Sequence, residues 1–161
     1  MHLILSLLLA VISYQSPVTR WVDGDSPYVM PPAATKPVEC RTTGDDAPEV
    51  AHNSKEIDQP YGQDAKAFAQ NLTAGKVCTI RQHSKDKYGR PLVEVILPDG
   101  RSVAVEEIKA GMAWAPPPLY STKAERANQA AAQQAKAGLW KDTNPIPPWT
   151  WRKTHPTEDK P

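Results

Sequence analysis

Proline decides where this chain can be helical. Pro31-Pro32, Pro116-Pro117-Pro118 and the stretch from Pro145 to Pro148 each stop a helix that reaches them, because proline lacks an amide hydrogen and its ring clashes with the preceding turn. Seventeen prolines in 161 residues therefore predict short elements, with extended and turn segments outnumbering long helices. Prolines and the eight glycines together stay below the roughly 25–30% at which low complexity becomes the default reading. With 40% hydrophobic and 23% charged residues, the chain has the composition of one soluble globular domain. Nineteen basic residues against eighteen acidic ones leave a net charge of +1, so affinity for a polyanion requires local segregation of charge.

Leu3 to Ile12 is an apolar run of ten residues, too short to cross a bilayer core of roughly 30 Å as a helix. Its length matches the apolar region of a signal peptide. The expected division is a leader over residues 1–16, a folded domain over 17–152 and a flexible tail over 153–161. Ser13 to Ser16 supplies no A-x-A cleavage signature, and a buried first strand or an uncleaved anchor is the competing reading. The leader reading predicts a secreted or periplasmic protein. Export permits a disulfide between Cys40 and Cys78, and two buried thiols are the alternative. No Cys-x-x-Cys spacing or Cys/His cluster supports a zinc site.

Short β-type stretches are expected at Val18–Val22 and Tyr28–Met30, separated by the Asp23-Gly24-Asp25 turn, and over Lys36–Thr43. Ala65, Phe68, Ala69 and Leu72 recur at helical spacing between Gln63 and Leu72, with Gly75 as the stop. Val77–Gln82 and Leu92–Leu97 read as strands, the second leading through Pro98-Asp99-Gly100 into a strand at Ser102–Val105. Glu106–Gly111 suits a short helix, and Ser121–Ala137, with Gly138 at its end, a longer one. These strands with interspersed helices predict an α+β chain: a five-stranded oligonucleotide-binding (OB-fold) β-barrel with packed helices.

Three runs put hard oxygen ligands and two arginines at strand ends: Asp23-Gly24-Asp25-Ser26, Arg41 through Glu49, and Asp86-Lys87-Tyr88-Gly89-Arg90. Asp25 and Asp46 suit a hard cation, because Ca²⁺ takes carboxylate and backbone carbonyl oxygens and keeps waters. Glu49 is placed to orient or deprotonate one such water. The planar forks of Arg41 and Arg90 suit a phosphate whose charge grows during in-line displacement. Each run alone is an ordinary turn or surface charge. Together they make a phosphodiesterase set.

These runs, with Gln59-Pro60-Tyr61-Gly62, Gly111-Met112-Ala113-Trp114, Gly138-Leu139-Trp140 and Pro147-Pro148-Trp149-Thr150-Trp151-Arg152, resemble the staphylococcal nuclease family in order and spacing from about Arg20 to Trp151. The resemblance implies Ca²⁺ held by Asp25, Asp46 and the backbone carbonyl of Ala47, with Asp23 acting through water. It implies Glu49 as general base and Arg41 and Arg90 on the phosphate. The implied reaction is Ca²⁺-dependent, sugar-nonspecific hydrolysis of DNA and RNA to 3′-phosphate and 5′-hydroxyl ends. A monomer with no stable protein partner is expected. The competing classes are a non-catalytic OB-fold nucleic-acid-binding module and an interaction domain using the Pro/Trp tail.

Some positions depart from the family pattern. Thr42, Thr43 and Asp45 replace apolar residues before Asp46, and strand alternation predicts that Asp45 points to solvent; otherwise it adds negative potential at the metal. Ala104 stands where the family commonly has asparagine, and Pro116-Pro117-Pro118-Leu119 replaces a substrate-holding aromatic. Tyr120 is a partial substitute, and weaker nucleotide stacking is expected. Lys85 and Lys87 are further candidates for phosphate contact. Trp114, Trp140, Trp149 and Trp151 read as packing residues, and His52, His83 and His155 as surface.

Overall fold

The structure is a computed structural model and describes residues 11–156, so most of the expected leader and residues 157–161 of the tail lie outside the described residues. Six strands form one sheet: β1 (Ile12–Trp21), β2 (Pro27–Val29), β3 (Val38–Glu39), β4 (Arg41–Thr42), β5 (Val77–Lys85) and β6 (Pro91–Ile96). Four α-helices accompany it: α1 (Gly62–Thr73), α2 (Val103–Ala110), α3 (Lys123–Gln134) and α4 (Pro148–Thr154), with a single 3₁₀ turn at Gly138–Lys141. No helix of the described residues is long and apolar enough to cross a membrane.

The strands run in the order β3-β2-β1-β5-β6-β4, antiparallel except for the parallel β4–β6 pair. The sheet is therefore α+β in context as expected, but it has six strands and is open rather than a closed five-stranded barrel. Two of the six come from the expected Lys36–Thr43 strand, which is split at Cys40. Val38–Glu39 pairs with β2, whereas Arg41–Thr42 crosses to pair with β6. The two edges of the sheet are thus one residue apart in the chain, which forces the sheet to curl. β1 also serves two neighbours in turn, Ile12–Pro17 pairing with β5 and Val18–Trp21 with β2.

The expected strand at Ser102–Val105 is the other correction. Only Ser102 bridges back to Ile96, and α2 begins at Val103. The two valines favour a strand locally. Helical spacing wins because it places Val103, Ala104, Glu107 and Ile108 together on the buried face.

The main core lies under the curled sheet, where Trp21, Val29, Ile80, Val93, Val95 and Val103 pack with Ala69 of α1. Cys40 and Cys78 belong to this core as free, fully buried thiols, which is the second of the two readings their sequence allowed. Thr73 ties α1 to β1: its hydroxyl accepts a 3.0 Å bond from the Trp21 indole and donates 2.9 Å to the Ala69 carbonyl. A smaller cluster of Ala47, Ala65, Ile108, Ala113 and Ala115 seats the catalytic-type loop between α1 and α2. The tryptophans pack as expected, Trp114 lying edge-on to Trp140 at 4.3 Å and to Trp149 at 5.8 Å.

The β1–β2 bend is pressed against that small cluster. A Cβ at Gly24 would lie 2.7 Å from the Ala47 Cβ, 2.7 Å from Glu107 Oε1 and 3.0 Å from the Ala65 Cβ. Gly24→Ala is accordingly expected to lower the unfolding free energy by roughly 1–3 kcal/mol in a urea titration, the usual cost of overpacking. A loss smaller than about 0.5 kcal/mol, the range of neutral surface changes, would contradict this close approach.

Candidate active site

Each acidic side chain reaches the site by a different backbone device. In the β1–β2 bend, the Asp23 carboxylate accepts the Asp25 amide at 3.2 Å, and the Asp25 carbonyl accepts the Thr42 amide at 2.8 Å. This fastens the bend to β4. Asp46 is pinned by a two-bond bridge to Trp114, amide to carbonyl in both directions at 2.9 and 3.0 Å. Glu49 is held by Gln59, whose side-chain carbonyl accepts the Glu49 amide at 3.1 Å while its backbone N–H donates to the Glu49 carbonyl at 2.9 Å. A Cβ at Gly62 would sit 2.4 Å from that same carbonyl, so the turn before α1 needs glycine there.

The residues predicted from sequence do come together. Arg41 bridges two of them, donating to Asp25 Oδ1 at 2.5 Å and to Asp46 Oδ1 at 2.7 Å. The other Asp25 oxygen accepts the Ala47 amide at 2.7 Å. A cleft of about 600 Å³ is lined by Arg41, Glu49, Asp86, Lys87, Arg90 and Arg152, among others. Arg90 is held in it by Asp86, which accepts both its Nε at 2.8 Å and its backbone amide at 2.9 Å. Of the other expected contacts, Lys87 lines the cleft with the neighbouring Tyr88, whereas Lys85 ends β5 on an exposed face and Tyr120 is 72% exposed; neither lines the cleft. His52 and His155 are exposed, and His83 lies half-buried 2.8 Å from Glu94.

Three groups that sequence reasoning left out or misplaced belong to this site. Arg152, from α4, donates to both Asp46 oxygens at 3.0 and 2.9 Å and to Glu49 Oε1 at 2.5 Å. Asp45 does not point to solvent. It is buried and accepts the Thr42 hydroxyl at 2.6 Å, because the chain leaves strand geometry after Thr42 and period-two alternation no longer applies. Glu107 is fully buried on α2 beside Asp45 and Gly24, with no basic side chain among the described residues bonded to either oxygen. Two glutamates in succession, Glu106 and Glu107, carried no signal of which one turns inward.

Six carboxyl groups, on Asp23, Asp25, Asp45, Asp46, Glu49 and Glu107, therefore share one region with the two guanidiniums of Arg41 and Arg152. The surplus of negative charge shapes their protonation. Burial pushes Asp25 well above the usual carboxylate range, against the pull of Arg41. Burial acts upward on Asp46 too, but Arg41 and then Arg152 overcome it and hold the group below its ordinary value. Burial carries Asp45 up to about 6. It also pushes Glu107 well above its ordinary value, with Asp45 adding to the effect.

No group of three or more His, Cys, Asp or Glu side chains among the described residues forms a ready cage for a metal. What converges instead is two carboxylates, Asp25 and Asp46, with Ala47 next to the second and its amide already on the first. Two hard carboxylates, a backbone carbonyl and remaining water positions suit Ca²⁺, and the unbalanced carboxyl charge around them favours a cation.

Comparison with known proteins agrees with this arrangement. Residues 39–142 match the model of the family described as staphylococcal nuclease homologue. The chain is 37% identical over 135 residues to an uncharacterized endonuclease of Escherichia coli O157:H7, covering 84% of this chain and 82% of that protein. It is 34% identical over 119 residues to the staphylococcal-like nuclease CAN1 of Arabidopsis thaliana, covering 73% of this chain and 34% of that protein. The chain belongs to the family of staphylococcal nuclease homologues.

The raised acids make stability fall with pH. Asp45 and Glu107 keep a proton in the folded chain at pH values where the unfolded chain has released it, so folding is favoured at acid pH and loses that advantage as pH climbs through their folded range. In the presence of a chelator, the melting temperature is expected to drop as pH rises from about 4, the ordinary carboxylate range, to about 6, the value of Asp45, and Glu107→Gln to shrink the drop by at least about 3 °C. Equal drops in the two proteins would contradict the burial of an ionisable Glu107.

Proposed function

We propose that the protein is an exported nuclease that uses Ca²⁺ to hydrolyse phosphodiester bonds of DNA and RNA without sugar preference, leaving 3′-phosphate and 5′-hydroxyl ends, on a sheet of the OB type. The observation that carries this reading is the gathering of Glu49, Arg41 and Arg90 on one cleft with Asp25 and Asp46 behind it. The endonuclease and nuclease names of the relatives support the same chemistry. A module that merely bound nucleic acid would gain nothing from buried carboxylates that repel phosphate.

In this reading Asp25, Asp46 and the Ala47 carbonyl hold the cation, which when bound neutralises charge developing on the phosphate. Glu49 takes the proton from a water attacking phosphorus in line with the departing 5′ oxygen. Arg41 and Arg90 grip the phosphate oxygens as negative charge accumulates there. Both arginines are engaged by carboxylates, Arg41 by Asp25 and Asp46, Arg90 by Asp86, so they are oriented before the phosphate enters. Lys87 and Tyr88 at the cleft wall serve the flanking backbone.

Export is part of the proposal, and β1 constrains how it is processed. A cut after Ser16 would remove five of the six β1 residues paired with β5, so processing that leaves the fold intact falls before Ile12.

The purified protein is expected to degrade DNA in Ca²⁺ and to stop when the cation is chelated; cleavage indifferent to chelation would overturn the metal role. Glu49→Gln and Arg90→Ala should each slow cleavage by about 10²-fold or more, the usual worth of a general base or a charge clamp, with unchanged circular dichroism. Near-normal rates in both variants would contradict the assignment of the site.

A further inference from the structure

Asp46 is unusual among the site carboxylates because both its oxygens are already taken by guanidinium. Arg152 forms a fork onto it, Nη1 to Oδ1 at 3.0 Å and Nη2 to Oδ2 at 2.9 Å, while Arg41 adds a bond to Oδ1 at 2.7 Å. The same Nη1 of Arg152 reaches Glu49 Oε1 at 2.5 Å. One side chain thus covers the metal ligand and the general base of the reading above.

Arg152 lies in the C-terminal Pro/Trp run, beyond the stretch that matches the family model. The family match ends at residue 142, and α4 begins at Pro148. α4 is nevertheless firmly seated: Trp151 and Pro148 are buried, Trp149 packs edge-on against Trp114, and the Gln59 side-chain amide donates to the Ile146 carbonyl. The guanidinium at its end is 38% exposed and lines the cleft beside Arg41 and Arg90. It is anchored at its base, and at its tip it is held only by carboxylates at the cleft.

We infer that Arg152 is an exchange residue, holding Asp46 and Glu49 until a cation takes Asp46 and then turning its guanidinium onto the anionic backbone of the nucleic acid. This rests on the nuclease reading and deepens it. A divalent cation needs an Asp46 oxygen, so it must weaken or displace the Arg152 fork. The displaced guanidinium then lies in a cleft that already presents Arg41, Lys87 and Arg90, where a phosphate is the anion that satisfies it. A phosphate that draws Arg152 away likewise exposes Asp46 to the cation. Metal and nucleic acid therefore tighten each other's binding, reciprocally, through one side chain. Freeing Glu49 from Arg152 in the same movement leaves its carboxylate available as a base only when both have bound.

The test is calorimetric titration of Ca²⁺ into the full chain and into Arg152→Ala, Arg152→Gln and Arg152→Lys, each with and without a phosphorothioate oligothymidylate, alongside DNA cleavage by the unaltered protein. Without oligonucleotide, Arg152→Ala and Arg152→Gln should bind Ca²⁺ about tenfold more tightly than the unaltered protein, the worth of a lost charge-assisted pair. The tightening produced by the oligonucleotide should shrink in both and be largely kept in Arg152→Lys. Tryptophan fluorescence reports whether α4 stays docked in each variant, and Arg152→Gln and Arg152→Lys keep the test usable where Arg152→Ala unseats it. Unchanged or weaker Ca²⁺ binding in docked Arg152→Gln, while the unaltered protein binds Ca²⁺ and cleaves DNA, would overturn the exchange role alone. An unaltered protein that neither binds Ca²⁺ nor cleaves DNA would overturn both readings.

Discussion

The Asp25 carboxylate is the point through which the site is built. One oxygen accepts Arg41 from β4, the other accepts the Ala47 amide from the loop that carries Glu49, and the residue's own carbonyl accepts the Thr42 amide. Strand β4 and the loop that follows it are thus both fastened to one buried acid of the β1–β2 bend. A charge in that position costs several kcal/mol of desolvation unless it is paired and hydrogen-bonded. The fold meets that demand with Arg41 and the loop amide. In doing so it sets the geometry that the chemistry requires. Gly24 belongs to the same constraint, since only a residue without a side chain lets the bend carrying Asp25 approach Ala47 so closely.

Around that anchor the chain carries more acid than it neutralises. In an ordinary core Asp45 and Glu107 would be liabilities, each buried and neither salt-bridged to a basic side chain among the described residues. Beside the proposed cation they act differently. They add negative potential behind Asp25 and Asp46, and the stability they cost in the absence of a cation is a stability that a bound cation restores. The arginines share this logic. Arg41, Arg90 and Arg152 are each held by carboxylates at or behind the cleft, so on the proposed reading the guanidiniums are ordered before any phosphate is present.

Much of this was legible in the sequence wherever local physics decides the outcome. α1 and α3 follow from helical spacing and from the capping pair Thr122 and Glu125, and the motif runs containing Asp25, Arg41, Asp46, Glu49 and Arg90 converge as their order implied. The failures share a cause, which is tertiary context. Val103 starts a helix because α2 needs its buried face, against the strand preference of its neighbours. Cys40 splits one expected strand because the chain crosses from one sheet edge to the other there. Asp45 turns inward once the chain leaves β4, which no alternation rule foresees. Arg152 meets Asp46 across 106 residues of sequence, and no spacing can announce such a contact.

The central claim is that one divalent cation belongs between Asp25, Asp46 and the Ala47 carbonyl. Anomalous diffraction from crystals grown in Ca²⁺ tests it directly. The account predicts a single strong peak about 2.3–2.6 Å from an oxygen of each of those three residues, with the Arg152 guanidinium no longer forked on Asp46. A peak at any other place, or an Asp46 still gripped by Arg152 through both oxygens in fully loaded crystals, would contradict it.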